Sequence, residues 1–349
     1  MSFFGSLFSP NKKNESVVLV EVGADSVAGA YVAYAEGELP ILLYTRRLTV
    51  ETREGEPRDK SMLRALKILA DTLLREGAPV LSRATGSGAS DAVLLSINAP
   101  WQKSSVRTER FVDEDDKEFS FTKSAVSDLL KKTEIKLPRY MRVDETVIGT
   151  ILNGYKTQDP YGKKAHRASI IVLTSFVNEH ITKNALSTLQ GVFHTKNVRP
   201  LAGSALRFQT ILRAFPHERD ALILDATGAL TSIAFVHRGL FIAITEVSDT
   251  DKQREWMEHV GVQLAELAKH YPLPRTIFLL AQESDMASFR KKLDAGDLGK
   301  FWLSDNPPKI VPVLPSHLLR FVRVAAAAAP DLPLLLMTLF HGGQTSEES

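Results

Sequence analysis

The chain contains one short pattern twice, half a chain apart. Each copy is a run of strand-forming residues that ends in an acid and a glycine, and a second apolar run follows it. The first copy spans residues 17–23, with Glu21 and Gly23, and the second spans 221–228, with Asp225 and Gly228. Two apolar runs joined by a short glycine turn are typical of a β-hairpin. The repeat therefore predicts two related half-domains that face each other across a cleft.

Length and composition limit the classes of protein to which this chain belongs. The 349 residues are 44% hydrophobic, which fits two domains or one large two-lobed domain. The net charge of +2 argues against nucleic-acid binding through a basic surface. Cysteine is absent, which excludes disulfides, thiol catalysis and cysteine metal sites. The sequence contains no recognisable signal peptide and no membrane-spanning segment, so we expect a cytoplasmic protein, with a peripheral position at the inner face of the membrane as a further option.

Changes in residue pattern along the chain predict five regions. They are an N-terminal tail (1–16), a first lobe (17–105), an inserted α+β subdomain (106–197), a second lobe that returns to the first (198–340), and a disordered tail (341–349). The hydrophobic periodicity predicts helices over 60–76, 123–132, 180–190, 203–215, 251–271, 286–293 and 316–329. Thr122 is the expected N-cap of the second of these helices, and 82–91 is expected to be a loop.

One segment of the inserted subdomain resembles a known family. Residues 150–165, TILNGYKTQDPYGKKA, resemble the G-Y…(N/D)-P-x-G turn of the bacterial cell-division actin FtsA. The strand and helix over 168–190 and the segment 198–205, VRPLAGSA, resemble elements of the same family. The start of the chain is similar to the pilus-assembly relative PilM. The resemblance implies an α/β, two-lobed actin-like (RNase H-like) fold with an inserted small α+β subdomain.

In that superfamily the two hairpins hold the phosphates of ATP, and carboxylates place Mg²⁺. The resemblance therefore implies a nucleotide site with ATP and Mg²⁺ as its ligands. If the site is retained, its residues are Glu21, Gly23, Asp225, Thr227, Gly228 and Thr231.

Several residues depart from the pattern that such a site requires. Asp25 places a carboxylate where it would repel phosphate, and Cβ atoms at Thr227 and Ala229 obstruct a close approach. Leu230 replaces a hydroxyl residue, and no glycine follows the predicted strand 276–280. Because only residues 237–275 separate the second hairpin from this third loop, we expect the upper subdomain of the second lobe to be missing.

These departures favour a pseudo-ATPase that acts as a scaffold, with no catalytic residue, no metal ligand and no cofactor. The resemblance implies recruitment or bridging of partners in cell division, at the inner face of the cytoplasmic membrane. Two alternatives stay open: a component of type IV pilus or secretion assembly, and an active ATPase of the same superfamily. An unrelated two-domain enzyme is a weaker hypothesis, because no nucleophile elbow, P-loop or helical histidine pair occurs.

Two segments are candidate contact sites for partners. The first consists of Phe3, Phe4, Leu7 and Phe8, which would share one face of a short helix and contact a membrane or a protein. A disordered start is the alternative for this segment. We expect protein partners from the division or pilus machinery, with self-association as a further option, and no nucleic acid.

The second candidate segment is a turn of the inserted subdomain. Tyr161, Lys163 and Lys164 would contact a partner there. The alternative is a structural turn that Pro160 and Gly162 fix.

Overall fold

The computed structural model describes residues 14–111, 117–247, 255–302 and 307–347, with side chains up to residue 343. Two long sheets, one shorter four-stranded sheet and a two-stranded pair make up the β structure. In chain order the strands and helices are β1 (Asn14–Val22), β2 (Ser26–Ala35), β3 (Ile41–Thr49), α1 (Arg58–Thr72), α2 (Ala78–Thr85), β4 (Ala92–Ile97), β5 (Gln102–Phe111), β6 (Phe119–Ser120), α3 (Lys123–Lys132), β7 (Tyr140–Leu152), β8 (Tyr155–Lys156), β9 (Lys164–Ala165), β10 (Ala168–Asn178), α4 (Glu179–Phe193), β11 (Val198–Ala202), α5 (Gly203–Ala214), β12 (Ala221–Ala226), β13 (Ser232–His237), β14 (Leu240–Glu246), α6 (Trp256–His270), β15 (Thr276–Ala281), α7 (Glu283–Ala295), β16 (Lys309–Pro312), α8 (Pro315–Leu318), β17 (Arg323–Val324) and α9 (Leu332–Glu347).

The first lobe is built on a six-stranded sheet with the strand order β11-β4-β1-β2-β3-β17. Strand β1 pairs antiparallel with β2 and parallel with β4. Its side chains alternate between two buried faces, as period-two patterning requires. Val18 and Val20 pack with α1 and α4, while Val17 and Leu19 pack with α5 and α9.

The second lobe repeats this arrangement with the strand order β14-β13-β12-β15-β16. Strand β12 pairs antiparallel with β13 and parallel with β15, as β1 does with β2 and β4. Leu222 and Leu224 face α6 and α7, whereas Ala221 and Ile223 face the core that contains α5 and α9. The two lobes therefore share one hydrophobic core, and the two predicted hairpins occupy equivalent places in them.

The inserted subdomain is a four-stranded sheet with the order β5-β10-β7-β8, and α3 covers part of one face. The Thr122 hydroxyl accepts a hydrogen bond from the Ala125 backbone at 3.2 Å, so it caps α3 as the sequence predicted. Helix α4 instead packs on the first lobe through Ile181, Ala185 and Leu189. The subdomain predicted over 106–197 thus includes one helix that belongs to the first lobe.

Helix α6 is the next described element after β14, and it covers the sheet of the second lobe. Within the described residues, no separate subdomain stands between the second hairpin and β15. Across the same residues, no helix combines the length and the apolar composition that a membrane crossing requires.

Three predictions near the helix ends were wrong. The loop predicted over 82–91 begins later, because α2 continues to Thr85. The helix predicted over 316–329 is only α8, and the alanine run after β17 is not helical. The tail predicted over 341–349 is largely helical, since α9 extends to Glu347 and buries His341.

Candidate functional site

The two hairpin acids are buried where the lobes meet. Glu21 is the penultimate residue of β1, and Asp225 holds the same place in β12. Each is only 2% exposed. An ionised carboxylate at such a depth requires charged or hydrogen-bonding partners, because burial without them is costly.

Arg207 lies between the two acids. Its Nη1 is 3.1 Å from Glu21 Oε1, and its Nε is 2.6 Å from Asp225 Oδ2. The side chain comes from α5 and is 4% exposed. One guanidinium therefore joins the acid of the first lobe to the acid of the second.

Further donors complete the surroundings of Glu21. Arg47 Nη2 is 2.7 Å from Glu21 Oε2, and Asn98 Nδ2 donates to Oε1 at 2.9 Å. Burial raises the pKa of Glu21, but the charges of Arg47 and Arg207 and the hydrogen bonds from Asn98 and Arg47 together outweigh burial and lower it below its usual value. Arg47 also binds Asp331, just before α9, through both carboxylate oxygens.

Asp225 is held from its other side by its own hairpin. Its Oδ1 accepts hydrogen bonds from the backbone N–H of Thr227 at 3.1 Å and from the Thr227 hydroxyl at 2.6 Å. The Thr231 hydroxyl accepts from Trp256 Nε1 at 2.8 Å, and the Thr227 carbonyl accepts from Gln282 at 3.3 Å. Both threonines predicted for the nucleotide site therefore bond to protein groups.

The backbone at the two hairpin glycines is poorly arranged to bind a phosphate. Gly23 and Gly228 are not among the residues with positive φ. The Gly23 N–H donates to the Ser26 carbonyl at 2.9 Å, so the turn itself uses this donor. A phosphate-binding turn requires backbone N–H groups that point at the ligand.

The residues do not fit Mg²⁺-ATP. A divalent cation between Glu21 and Asp225 would meet the Arg207 guanidinium, whose charge repels it. Elsewhere in the described residues, no three His, Asp or Glu side chains come together as a metal site. The buried acids, Arg207, Arg47 and Asn98 form a closed ion network that joins the lobes.

The sequence prediction placed Glu21 and Asp225 opposite each other but missed Arg207. One feature of the sequence did point to Arg207. Gly203, Arg207, Ile211 and Ala214 recur at helical spacing and are all buried on α5. An arginine on such an apolar face indicates a buried acid nearby, because an unpaired charge there is unfavourable. On the same helix Leu206, Phe208 and Ile211 are buried, and Leu212 is partly buried.

The turn of the inserted subdomain is anchored to the residues before α3. The Tyr161 ring lies 5.7 Å from the Phe121 ring, and the Lys163 carbonyl accepts from the Phe121 N–H at 2.9 Å. Lys164 forms an ion pair with Glu118 at 3.0 Å. Tyr161 nevertheless stays 40% exposed. The predicted contact residues Phe3, Phe4, Leu7 and Phe8 lie outside the described residues.

Comparison with known proteins gives structural likenesses. No protein-family model matches the chain, and no curated protein matches it. A structure of the PilM-PilN type IV pilus biogenesis complex matches with a TM-score of 0.53 at 14% identity, covering 94% of this chain and 98% of that one.

Two further structures match with lower scores. One is a Bacteroides thetaiotaomicron protein of unknown function with an actin-like ATPase fold, with a TM-score of 0.46 at 10% identity, covering 95% of this chain and 99% of that one. The other is the cytoplasmic domain of EpsL, an inner-membrane component of the Vibrio cholerae type II secretion system. It has a TM-score of 0.38 at 10% identity, covering 96% of this chain and 95% of that one.

The duplicated sheets, their facing hairpins and the inserted subdomain match the architecture that the sequence resemblance implied. The likeness to the pilus structure extends over nearly the whole chain. The chain therefore has the two-lobed actin-like fold.

Proposed function

We propose that this protein is an actin-like scaffold that binds no nucleotide and holds protein partners together. The observation that carries the proposal is Arg207, which pairs with both hairpin acids in the buried space between the lobes. An actin-like ATPase would need those acids for Mg²⁺. Here an internal cation, Arg207, already pairs with both of them.

Nucleotide binding at this site would require displacement of Arg207. Mg²⁺-ATP would have to push Arg207 away from two carboxylates that are each 2% exposed. Separating a buried guanidinium from its partners costs about 3–5 kcal/mol, because it leaves charges buried and unpaired. Asp25 adds a carboxylate to the first hairpin turn, and phosphate would meet it there. Both the displacement of Arg207 and the charge of Asp25 therefore oppose nucleotide binding at this site.

For the process, we propose assembly of a type IV pilus or a related secretion system rather than cell division. The support is the fold likeness to PilM, whose solved structure is a complex with PilN. Partners of this chain would then be inner-membrane proteins of such an assembly. Contact with the membrane itself would involve Phe3, Phe4, Leu7 and Phe8.

Calorimetry with Mg²⁺-ATP tests the nucleotide part of the proposal. The full chain is expected to show no binding heat up to millimolar nucleotide. The variant Arg207→Met serves as a comparison, because it frees both acids. Micromolar affinity of the unaltered chain for Mg²⁺-ATP would overturn the proposal and support the active-ATPase alternative.

Two experiments address the partners. Co-purification with pilus inner-membrane proteins and with division proteins, each expressed together with the full chain, should recover only the first set. Recovery of only the division proteins would refute the assignment. Deletion of residues 2–9 should weaken co-sedimentation with phosphatidylglycerol vesicles, and unchanged sedimentation would refute membrane contact through the N-terminus.

A further inference from the structure

The inserted subdomain and the second lobe meet along two edge strands, β5 and β14. These strands belong to separate sheets: β5 is at the edge of the four-stranded sheet, and β14 is at the edge of the five-stranded one. Both strands lie within the described residues, and no strand ladder joins them. The contact between the two parts therefore depends on side chains, which a change of charge can strengthen or weaken.

Side-chain contacts occur at both ends of β14. At its start, Leu240 approaches Gly149 of β7 so closely that a Cβ on the glycine would lie 2.7 Å from Leu240 Cδ2. At its end, Glu246 Oε1 accepts a hydrogen bond from Gln102 Nε2 at 2.8 Å. Gln102 is the first residue of β5, where the chain enters the inserted subdomain from the first lobe. Glu246 therefore acts at the base of the subdomain, where a small shift becomes a larger one at the far end.

Glu246 is also connected, through Gln102, to the helix that carries Arg207. Gln102 Oε1 accepts a hydrogen bond from the Ser204 hydroxyl at 2.9 Å, and Ser204 lies in the first turn of α5. Gln102 and Ser204 are both buried. The amide uses its oxygen for Ser204 and its N–H for Glu246, so both partners fix its orientation. The Glu246 carboxylate thus belongs to a chain of hydrogen bonds that joins the second lobe, the inserted subdomain and α5.

Titratable groups from three neighbouring strands face Glu246. β5 contributes Lys103, whose side chain is exposed to solvent, and β7 contributes Tyr140. In the sheet of the second lobe, Ser232 of β13 lies opposite Glu246, and Asp225 of β12 lies opposite Ser232. Asp225 is therefore on the same face two strands away, and its charge is paired within the ion network between the lobes.

These surroundings determine the pH at which the carboxylate becomes charged. Burial raises the pKa of Glu246 to about 7, although the charge of Lys103 and the hydrogen bond from Gln102 act to lower it. If the subdomain moved away and water reached the carboxylate, the pKa would return toward 4.5. The docked arrangement therefore binds a proton more tightly than the displaced one. The stabilisation that this proton gives to docking is fully present below about pH 4.5 and is lost as pH rises through about 7.

We propose that protonation of Glu246 controls how firmly the inserted subdomain is held against the second lobe. With the proton bound, the subdomain docks on β14. When the proton leaves, the charged carboxylate draws water into the contact, and the subdomain moves away from the lobe. This switch does not depend on the scaffold function proposed above, because it concerns only the arrangement of the fold.

The test is a distance measurement between two nitroxide spin labels by double electron–electron resonance. Because the chain has no cysteine, Lys131→Cys in α3 and Lys269→Cys in α6 place one label on the inserted subdomain and one on the second lobe. Both lysines are exposed. The labels are carried by the otherwise unaltered chain, by Glu246→Gln, and by the matched control Glu258→Gln, which removes an exposed carboxylate from α6. Thermal melts establish that every variant is folded.

In the otherwise unaltered chain, the ratio of displaced to docked molecules should rise by up to about 70-fold between about pH 5 and about pH 8, given a pKa of about 7 when docked and 4.5 when displaced. Glu246→Gln should keep the docked distance at both pH values, whereas Glu258→Gln should respond as the unaltered chain does. Lys103→Gln should increase the displaced fraction at about pH 8, because it removes the nearby cation.

A single, unchanged distance at both pH values in the otherwise unaltered chain would overturn the proposal. The same pH response in Glu246→Gln, or a smaller displaced fraction in Lys103→Gln, would also overturn it. None of these results bears on calorimetry with Mg²⁺-ATP, so the two proposals are tested separately.

Discussion

The variant Arg207→Met tests the ion network between the lobes. It leaves Glu21 and Asp225, each 2% exposed, without the cation that joins them. Removing one partner of a buried ion pair costs about 3–5 kcal/mol, so we expect the free energy of unfolding to fall by that amount near neutral pH. Methionine is long and flexible enough to fill much of the vacated space, so the loss reports charge more than packing.

The loss should depend on pH in a defined direction. In the unaltered chain the pKa of Glu21 is lowered, so its stabilising contribution is present above the pKa of the unfolded chain and is lost as pH falls through the folded pKa. Without Arg207, burial has less opposition and the folded pKa rises. Glu21 in the variant can then take up a proton and become neutral. The loss in free energy of unfolding of Arg207→Met, relative to the unaltered chain, should therefore be smaller at about pH 5 than at about pH 8.

Urea unfolding followed by tryptophan fluorescence at both pH values gives the measurement. Arg64→Met is the control, since Arg64 pairs with Glu56 at the surface and its loss should matter far less. Adding Glu21→Gln and Asp225→Asn to Arg207→Met should recover most of the stability, because no charge is then left unpaired by Arg207. A loss below about 1 kcal/mol, or one that is equal at both pH values, would refute the reasoning.

Three more outcomes are expected. Burial raises the pKa of Glu246 to about 7, although the charge of Lys103 and a hydrogen bond from Gln102 act to lower it. The contribution of Glu246 to the free energy of unfolding therefore falls as pH rises from about 4.5 to 7. In thermal melts, Glu246→Gln should stabilise the protein by about 1–2 kcal/mol at pH ~8 and by less at pH ~5. Gly203→Ala should lower the free energy of unfolding in urea by about 1–3 kcal/mol, because the added Cβ would lie 2.0 Å from Asn98 Oδ1. As a control, Gly191→Ala should leave stability unchanged or raise it, because its Cβ would have no neighbour within 4 Å. Thr122→Ala should cost about 1 kcal/mol through loss of the α3 cap, and increased amide exchange in α3 would report it.

The hairpins were predictable because their signals are local. Strand-forming residues over 17–22 and 221–226, each followed by a glycine and a second apolar run, become β1–β2 and β12–β13. Equivalent places in two halves of a fold then bring Glu21 and Asp225 together. Arg207 was harder to foresee, since its partners lie in β1 and β12, and only the tertiary fold brings all three together.

The prediction of a helix over 316–329 was wrong for a related reason. Alanine has the highest helix propensity, yet Ala325 donates its backbone N–H to Leu42, and Ala329 exchanges hydrogen bonds with the Thr45 hydroxyl. Pairing with the edge of the first sheet outweighs local propensity here. The helix starts only at Leu332, where Pro333 occupies an early position that needs no backbone donor.

The return of the chain to the first lobe has a consequence for biosynthesis. β17 pairs with β3, and Arg47 binds Asp331 across 284 positions of sequence. Domains usually fold from the N-terminus while the ribosome is still translating. Here the first lobe is the last to be completed, because the side of its sheet that packs against α9 stays uncovered until the final helix emerges. We expect a nascent chain that stalls before residue 330 to need chaperones for its first lobe, and C-terminal fusions to disturb that lobe before the second.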